Sequence, residues 1–180
     1  MALREYNLTS DGFFLRALKA TDAERYQSLL FHPAVKPYIP ENNLPNSIFD
    51  SIRKIQYLSS LFHLNAGAFW ALCNPQSQLI GTLGFDTFST QHKRLDLAFE
   101  LHPDYQGRGL MSKAVSTILP FGFEDLGAIR IQAYTLTHNT PSIRLLLKSG
   151  FKLEGNMHKF QIFNGVISDV KIFGLTQDDN

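Results

Sequence analysis

The chain has 180 residues, 44% of them hydrophobic and 18% charged, which supplies enough apolar surface for one compact domain and excludes a disordered chain. Its 17 Lys and Arg against 16 Asp and Glu leave a formal net charge of +1, so no chain-wide field exists for nucleic acid or an acidic membrane, and neither is expected as a partner. The single cysteine, Cys73, excludes an internal disulfide framework or a cysteine zinc site, no apolar run approaches the roughly 20 residues of a bilayer span, and MALREYNLTS lacks a signal-peptide core; a cytoplasmic single domain over 1–180 is expected.

Phe14 to Leu18 read as a first strand, and Thr21 with Glu24 three residues later reads as a capping box opening a helix to about Phe31. Prolines at 33, 37, 40 and 45 then interrupt the chain. Ser47 can cap a second helix whose Ile48, Phe49, Ile52, Ile55, Leu58, Leu61 and Phe62 recur at helical spacing, a stripe expected to be core. From Ala68 the period changes. AFWALC, LIGTLGFDTF and RLDLAFEL are apolar runs joined by NPQSQ and STQHK, connections short enough to predict three consecutive antiparallel strands.

After Gly109, Met111, Ala114, Val115, Ile118, Leu119 and Phe123 return to helical spacing, with Pro120 expected to kink the helix or remove one backbone hydrogen bond. IRIQAYTL reads as a strand, and Ser142 to Lys148 as a short helix stopped at Gly150. Asn164-Gly165 between FQIF and VISDVKIF is a strong hairpin signal. The sum is an α/β (α+β) domain with a mostly antiparallel sheet.

The segment from Phe99 to Ser112 joins a strand to a helix through a glycine-bearing loop, where free backbone N–H groups and the helix dipole favour an anion such as a pyrophosphate; ordinary turn chemistry is the alternative. Two nucleotide motifs are excluded by spacing. A dinucleotide fingerprint needs a third glycine where Ser112 stands, and a Walker loop needs a Lys-Ser/Thr pair that the chain lacks.

Gln106-Gly107-Arg108-Gly109-Leu110-Met111, followed by Asn139, Ser142, Gly150-Phe151 and Glu154-Gly155, resembles the GNAT acyltransferase superfamily, and most closely its RimJ/RimL ribosomal-protein N-terminal acetyltransferase branch. The resemblance runs from about Phe13 to Leu175. It implies a GNAT-like fold, with the sheet splayed between the fourth and fifth predicted strands, and acetyl-CoA as cosubstrate with no metal. It places the pyrophosphate on backbone N–H groups of Arg108, Gly109, Leu110, Met111 and Ser112, with Gln106 and Gly107 in the same loop and Leu101 and Asn139 along the pantetheine. Glu100 is the first candidate for the base, against an ordinary strand carboxylate. His138 is the second, against a solvated loop histidine. The tyrosine that many relatives place four residues before the glycine of Gly-Phe is absent here, since that position is Leu146. Ser142 is assigned to stabilising or protonating the thiolate, against a role as helix cap.

Cys73 sits in an apolar strand and is expected to pack as a small hydrophobe rather than act as a nucleophile. His32, His63, His92, His102 and His158 lack metal-ligand spacing, and Trp70 is expected in the core. The function implied is acetyl transfer to the N-terminal α-amino group of a protein, a ribosomal one first, with transient contact to it. The alternatives are a small amine such as a polyamine, an aminoglycoside-like drug or an amino acid, or a non-catalytic acyl-CoA-binding module. The segment from His32 to about Leu64 is where the resemblance places the acceptor wall.

Overall fold

The computed structural model describes residues 3–179. Its strands are β1 (Tyr6–Asn7), β2 (Phe14–Ala17), β3 (Ala68–Cys73), β4 (Leu79–Ser89), β5 (Arg94–Leu101), β6 (Arg130–Leu136), β7 (Lys152–Phe163) and β8 (Val166–Thr176). The helices are α1 (Ala23–Phe31), α2 (Ile48–Ser60), α3 (Leu110–Pro120) and α4 (Thr140–Lys148). One sheet runs β1-β2-β3-β4-β5-β6-β8-β7, antiparallel throughout except where β5 meets β6. The fold class and the three consecutive hairpin-joined strands agree with expectation.

Successive residues of a strand face opposite sides, and β3 shows that both sides are covered. Ala68, Trp70 and Leu72 pack into the core shared with α3 and α4, while Phe69, Ala71 and Cys73 pack into the core shared with α1 and α2. Trp70 is fully buried and donates its indole N–H to Arg4 O at 2.8 Å. Cys73 is fully buried too, as a packing residue.

The chain enters α1 differently from the predicted capping box. A 3-10 turn over Ala20–Asp22 precedes the helix, and the Asp22 carboxylate, rather than Thr21, organises it. Asp22 accepts the Lys19 N–H at 2.8 Å and both terminal nitrogens of Arg16 at 2.7 and 2.8 Å. Both side chains of this ion pair are only 7% exposed, so removing one partner strands a charge away from water. Asp22→Ala is expected to destabilise the domain by about 3–5 kcal/mol, the cost of an unpaired buried charge. The shift of the urea midpoint at unchanged m-value measures it.

Ser47 caps α2 as expected, accepting the Asp50 N–H at 3.2 Å. The predicted stripe needs one correction. Ile55, Leu58 and Leu61 are buried and Ile48, Ile52 and Phe62 half-buried, but Phe49 is 73% exposed because it shares the outer face with Arg53, Gln56 and Tyr57. Pro120 ends α3 and the chain continues as a π turn over Phe121–Asp125, with Leu126 N–H donating to Phe121 O. A wider turn absorbs the missing proline donor. Helix α4 begins at Thr140, two residues before the expected start, because Asn139 caps it; Ser142 N–H donates to Asn139 Oδ1 at 3.3 Å. Ser142 is therefore not the cap.

The β7–β8 hairpin turns at Asn164 and Gly165, both at positive φ as the turn type demands. Strand β7 begins at Lys152 instead of Phe160. Its polar first half lies on the outer edge of the sheet, where no apolar alternation is imposed, which hid it from the sequence pattern. The hairpin tip is tied back across the molecule. Asn164 Oδ1 accepts the Glu41 N–H at 2.8 Å and its Nδ2 donates to Ile39 O at 3.3 Å, holding β7 and β8 against the segment between α1 and α2.

The divergence of β5 and β6 positions the site. They pair in parallel only through Arg94, Leu95 and Asp96 with Arg130, Ile131 and Gln132. The Gln132 side-chain amide donates to Asp96 Oδ1 at 2.8 Å across the last joined rung. Beyond it each strand stays anchored on its outer side, β5 to β4 as far as Leu101 and β6 to β8 as far as Leu136, while the two separate. The result is the predicted splay; with the two-residue β1 counted, it falls between the fifth and sixth strands.

Candidate active site

A cleft of about 670 Å³ fills this gap and runs from the start of α3 to the segment between α1 and α2. At one end lies the loop from Leu101 to Leu110. A 3-10 turn over Pro103–Tyr105 reverses the chain, and the Gln106 side-chain amide donates to Leu101 O at 3.0 Å, so this glutamine closes the loop. Gly107 and Gly109 both have φ +74°, a left-handed conformation that brings bare backbone to the cleft. Gly109 is the N-cap of α3 and offers no side chain to its first turn. The N–H groups of Leu110, Met111 and Ser112 therefore lack intrahelical acceptors and lie at the positive end of the helix, a cradle for a phosphate-sized anion. Arg108 is exposed and outside the cleft lining, its guanidinium 5.5 Å from the Tyr105 ring.

Midway, Leu101 and Glu100 of β5 line the cleft from one strand, and Leu136, Asn139 and Ser142 line it from the end of β6 and the start of α4. Glu100 pairs in register with Thr82 of β4, whose hydroxyl donates to Glu100 Oε2. Burial pushes the Glu100 carboxyl up to about 7, against the Thr82 hydrogen bond, with the negative charge of Asp86 adding to the rise and Lys54 opposing it. Burial and then the Glu100 charge raise the Tyr26 phenol above its ordinary value, and burial also raises Asp86. A carboxyl titrating near neutrality on a half-buried residue that lines the cleft is suited to accept a proton at working pH.

The far end is mostly apolar and aromatic. It is lined by Val35, Tyr38, Ile39, Pro40, Asn43, Lys54 and Leu58 from the segment expected to form the acceptor wall, and by Phe69, Gln161 and Phe163 from the sheet. The structure thus brings together Glu100, Leu101, Gln106, Gly107, Gly109, Leu110, Met111, Ser112, Asn139 and Ser142 along one cleft. It does not bring in His138, which is exposed in the turn between β6 and α4 with its ring 6.0 Å from that of Tyr38. Cys73 also lies outside the lining, and burial pushes its thiol up to about 11, which leaves little thiolate near neutrality. Leu146, at the position where the resemblance leads one to look for a tyrosine, lines the cleft as a buried apolar side chain.

Sequence reading missed Tyr26, Lys54, Thr82, Asp86 and Thr135. Counting back from the STQHK turn sets Leu83 opposite Glu100, and only the register shift between Phe85 and Thr87 brings Thr82 there; Tyr26, Lys54 and Asp86 act on Glu100 through packing of elements that the pattern does not connect, and Thr135 enters the cleft from β6. Among the described residues no three His, Cys, Asp or Glu side chains group to hold a metal, and no helix is long and apolar enough to cross a membrane.

The sequence model of the family described as "Acetyltransferase (GNAT) domain" matches residues 13–152. The uncharacterized N-acetyltransferase YoaA of Bacillus subtilis is 31% identical over 94% of this chain and 96% of its own length. The spermidine N(1)-acetyltransferase of Vibrio cholerae is 24% identical over 91% of this chain and 92% of its own. Among solved structures, RimL, a ribosomal alpha-N-protein acetyltransferase in complex with coenzyme A, superposes with a TM-score of 0.88 at 17% identity, covering 98% of this chain and 100% of that one. At that identity the likeness is one of fold.

Proposed function

We propose, from the premise that the chain belongs to the GNAT acetyltransferase family, that this acetyl-CoA-using N-acetyltransferase acts on the N-terminal α-amino group of a protein, a ribosomal protein being the first candidate. Membership and relatives named as N-acetyltransferases favour an enzyme over the non-catalytic binding module. The observation that carries the acceptor reading is the composition of the far end of the cleft. Apolar and aromatic side chains dominate it, and Lys54 is close enough to both Asp86 and Glu100 to oppose part of their charge. Such an end suits one amine on an otherwise uncharged chain and disfavours an acceptor carrying several positive charges.

The loop and the α3 N-terminus suit the pyrophosphate of acetyl-CoA, and the unpaired edges of β5 and β6 suit pantetheine lying between them as an added strand. When bound, acetyl-CoA supplies an acyl group activated as a thioester. Glu100, held by Thr82, takes the amine's proton through a water, and its half-ionised state near pH 7 lets it do so without a strong base. Asn139 fixes the start of α4, which leaves the Ser142 hydroxyl free to face the cofactor arm near the sulfur. His138 receives no role, since it does not line the cleft.

The test is CoA release from acetyl-CoA with peptides beginning Ser, Ala or Met, their N-terminally blocked versions, and spermidine. Turnover confined to the free peptides is the expected result. Turnover confined to spermidine would move the acceptor to a small amine, the second reading, which rests on the similarity to the Vibrio cholerae enzyme.

A further inference from the structure

Thr135 is a polar side chain in the cleft for which neither the fold nor the reaction as described has a use. It is 7% exposed and lines the cleft, yet its Oγ1, itself almost without accessible surface, has no hydrogen-bond partner, so the hydroxyl meets a ligand in the cleft by turning about χ1. Burying a hydroxyl without a partner costs free energy, and native proteins pair almost all such groups. Among the described residues one other buried side-chain atom shares this state, Ser149 Oγ, which sits outside the cleft where α4 turns toward β7.

Its position follows from strand register. Continuing the β5–β6 pairing past Asp96 and Gln132 sets Thr135 level with Phe99 and Leu136 level with Glu100. A cofactor arm entering from the α3 end meets Glu100 first and Thr135 one residue deeper. Deeper still the lining turns to Ala133 and Leu97. The thioester must lie at this level, because its carbonyl carbon has to meet an amine whose proton goes to Glu100.

The two side chains stand on opposite faces of the sheet. Glu100 alternates with Leu101 and shares the face of Ala98, which packs toward α1 and α2. Thr135 shares the face of Ile131 and Ala133, which pack with α3 and with Leu146 of α4. An amine reaches the acyl carbon from the first face and the sulfur departs toward the second, where Leu146 offers no donor.

We propose that Thr135 is a catalytic residue that, with its hydroxyl turned about χ1 into the cleft, donates a hydrogen bond to the thioester sulfur of the acyl donor and to the thiolate formed from it. This rests on the acetyl-CoA reading of the cleft. The amine lone pair forms the new N–C bond, the C–S bond breaks with its electron pair going to sulfur, and the amine's proton passes through water to Glu100. Thr135 keeps its own proton, since an alcohol is too weak an acid to surrender it, and the thiolate takes one from solvent as CoA leaves. Thr135 and Ser142 then flank the sulfur from β6 and α4, in place of the phenol that Leu146 cannot supply.

Thr135→Val keeps the shape and removes the hydroxyl, and Thr135→Ser keeps the hydroxyl. In the full-length protein, binding of CoA and of desulfo-CoA by calorimetry at pH 9, together with kcat, provides readouts with and without turnover. The expected result for Thr135→Val is a kcat lower by about 10- to 100-fold, the range for a hydrogen bond to a charged group. CoA binding weakens while desulfo-CoA binding is unchanged, Tm does not fall, and Thr135→Ser recovers most of the loss. An unchanged kcat, or equal weakening of CoA and desulfo-CoA, overturns the proposal, the second outcome assigning the hydroxyl to the pantetheine amides. If the wild type turns over no N-terminal peptide, the acceptor reading fails alone, because the CoA comparison needs no acceptor.

Discussion

Glu100→Gln is expected to lower kcat by about 10²–10³-fold, within the range a general base contributes, while leaving the Kd of acetyl-CoA within a few-fold of wild type. The carboxyl lies on the α1–α2 face of β5, away from the N–H groups at the start of α3. In the wild type, kcat/KM rises with pH through about 7, as Glu100 loses the proton that burial helps it keep, and this limb is absent in the variant. The same limb persisting in Glu100→Gln would assign the ionisation to another group.

Stability moves the other way. The carboxyl's folded value of about 7 lies above its ordinary 4.5, so the folded state holds a proton that the unfolded state has lost between these values. The stability associated with neutral Glu100 is fully present below about 4.5 and is lost as pH rises through about 7. Glutamine is neutral throughout and still accepts the Thr82 hydroxyl. Glu100→Gln therefore matches the wild-type Tm at pH 4.5 and exceeds it at pH 8. Loss of activity with gain of stability separates a base kept in an unfavourable place from a carboxylate that only supports the fold.

Gly109→Val is expected to raise the Kd of CoA by 100-fold or more, with Arg108→Ala changing it only a few-fold. A Cβ at Gly109 meets nothing within 4 Å in the protein itself, so the damage is not a clash inside the fold. It comes from φ +74°, which a β-branched residue resists by about 1–2 kcal/mol or more, and from two methyl groups placed where the phosphate must approach the N–H groups of α3. Arg108 is exposed and outside the lining, so its removal costs a screened, long-range attraction. Calorimetric titration of CoA at two salt concentrations checks both. An Arg108→Ala loss as large as that of Gly109→Val would place the affinity in the side chain rather than the backbone.

The sequence signals were strongest where chemistry is local. Ser47 capping α2, Gly109 starting α3, Gly150 past the end of α4 and the Asn164-Gly165 turn each follow from what one residue type can do at one backbone position. The loop from Gln106 to Ser112 was legible for the same reason, since a backbone anion site is written in a few neighbouring residues. Signals failed where packing overrode a local pattern. Asp22 replaced Thr21 at the entry to α1 because a buried Arg16 needed a carboxylate, and Phe49 turned outward although it looked like core. His138 has the chemistry of a catalytic residue, but only the placement of α4 shows that it lies outside the cleft.

From the sequence alone come the order of elements, the family resemblance, the anion-binding loop and the identity of Glu100 and Ser142 as candidates, because periodicity, turn chemistry and motif spacing act over a few residues. The tertiary structure alone decided that β5 and β6 part after Asp96 and Gln132, that Thr82, Tyr26, Asp86 and Lys54 surround Glu100, and that the Thr135 hydroxyl is left without a partner. Those facts depend on register and on side chains meeting from far apart in the chain. Desolvation and hydrogen-bond satisfaction, which set the chemistry of the site, exist only once those elements have packed.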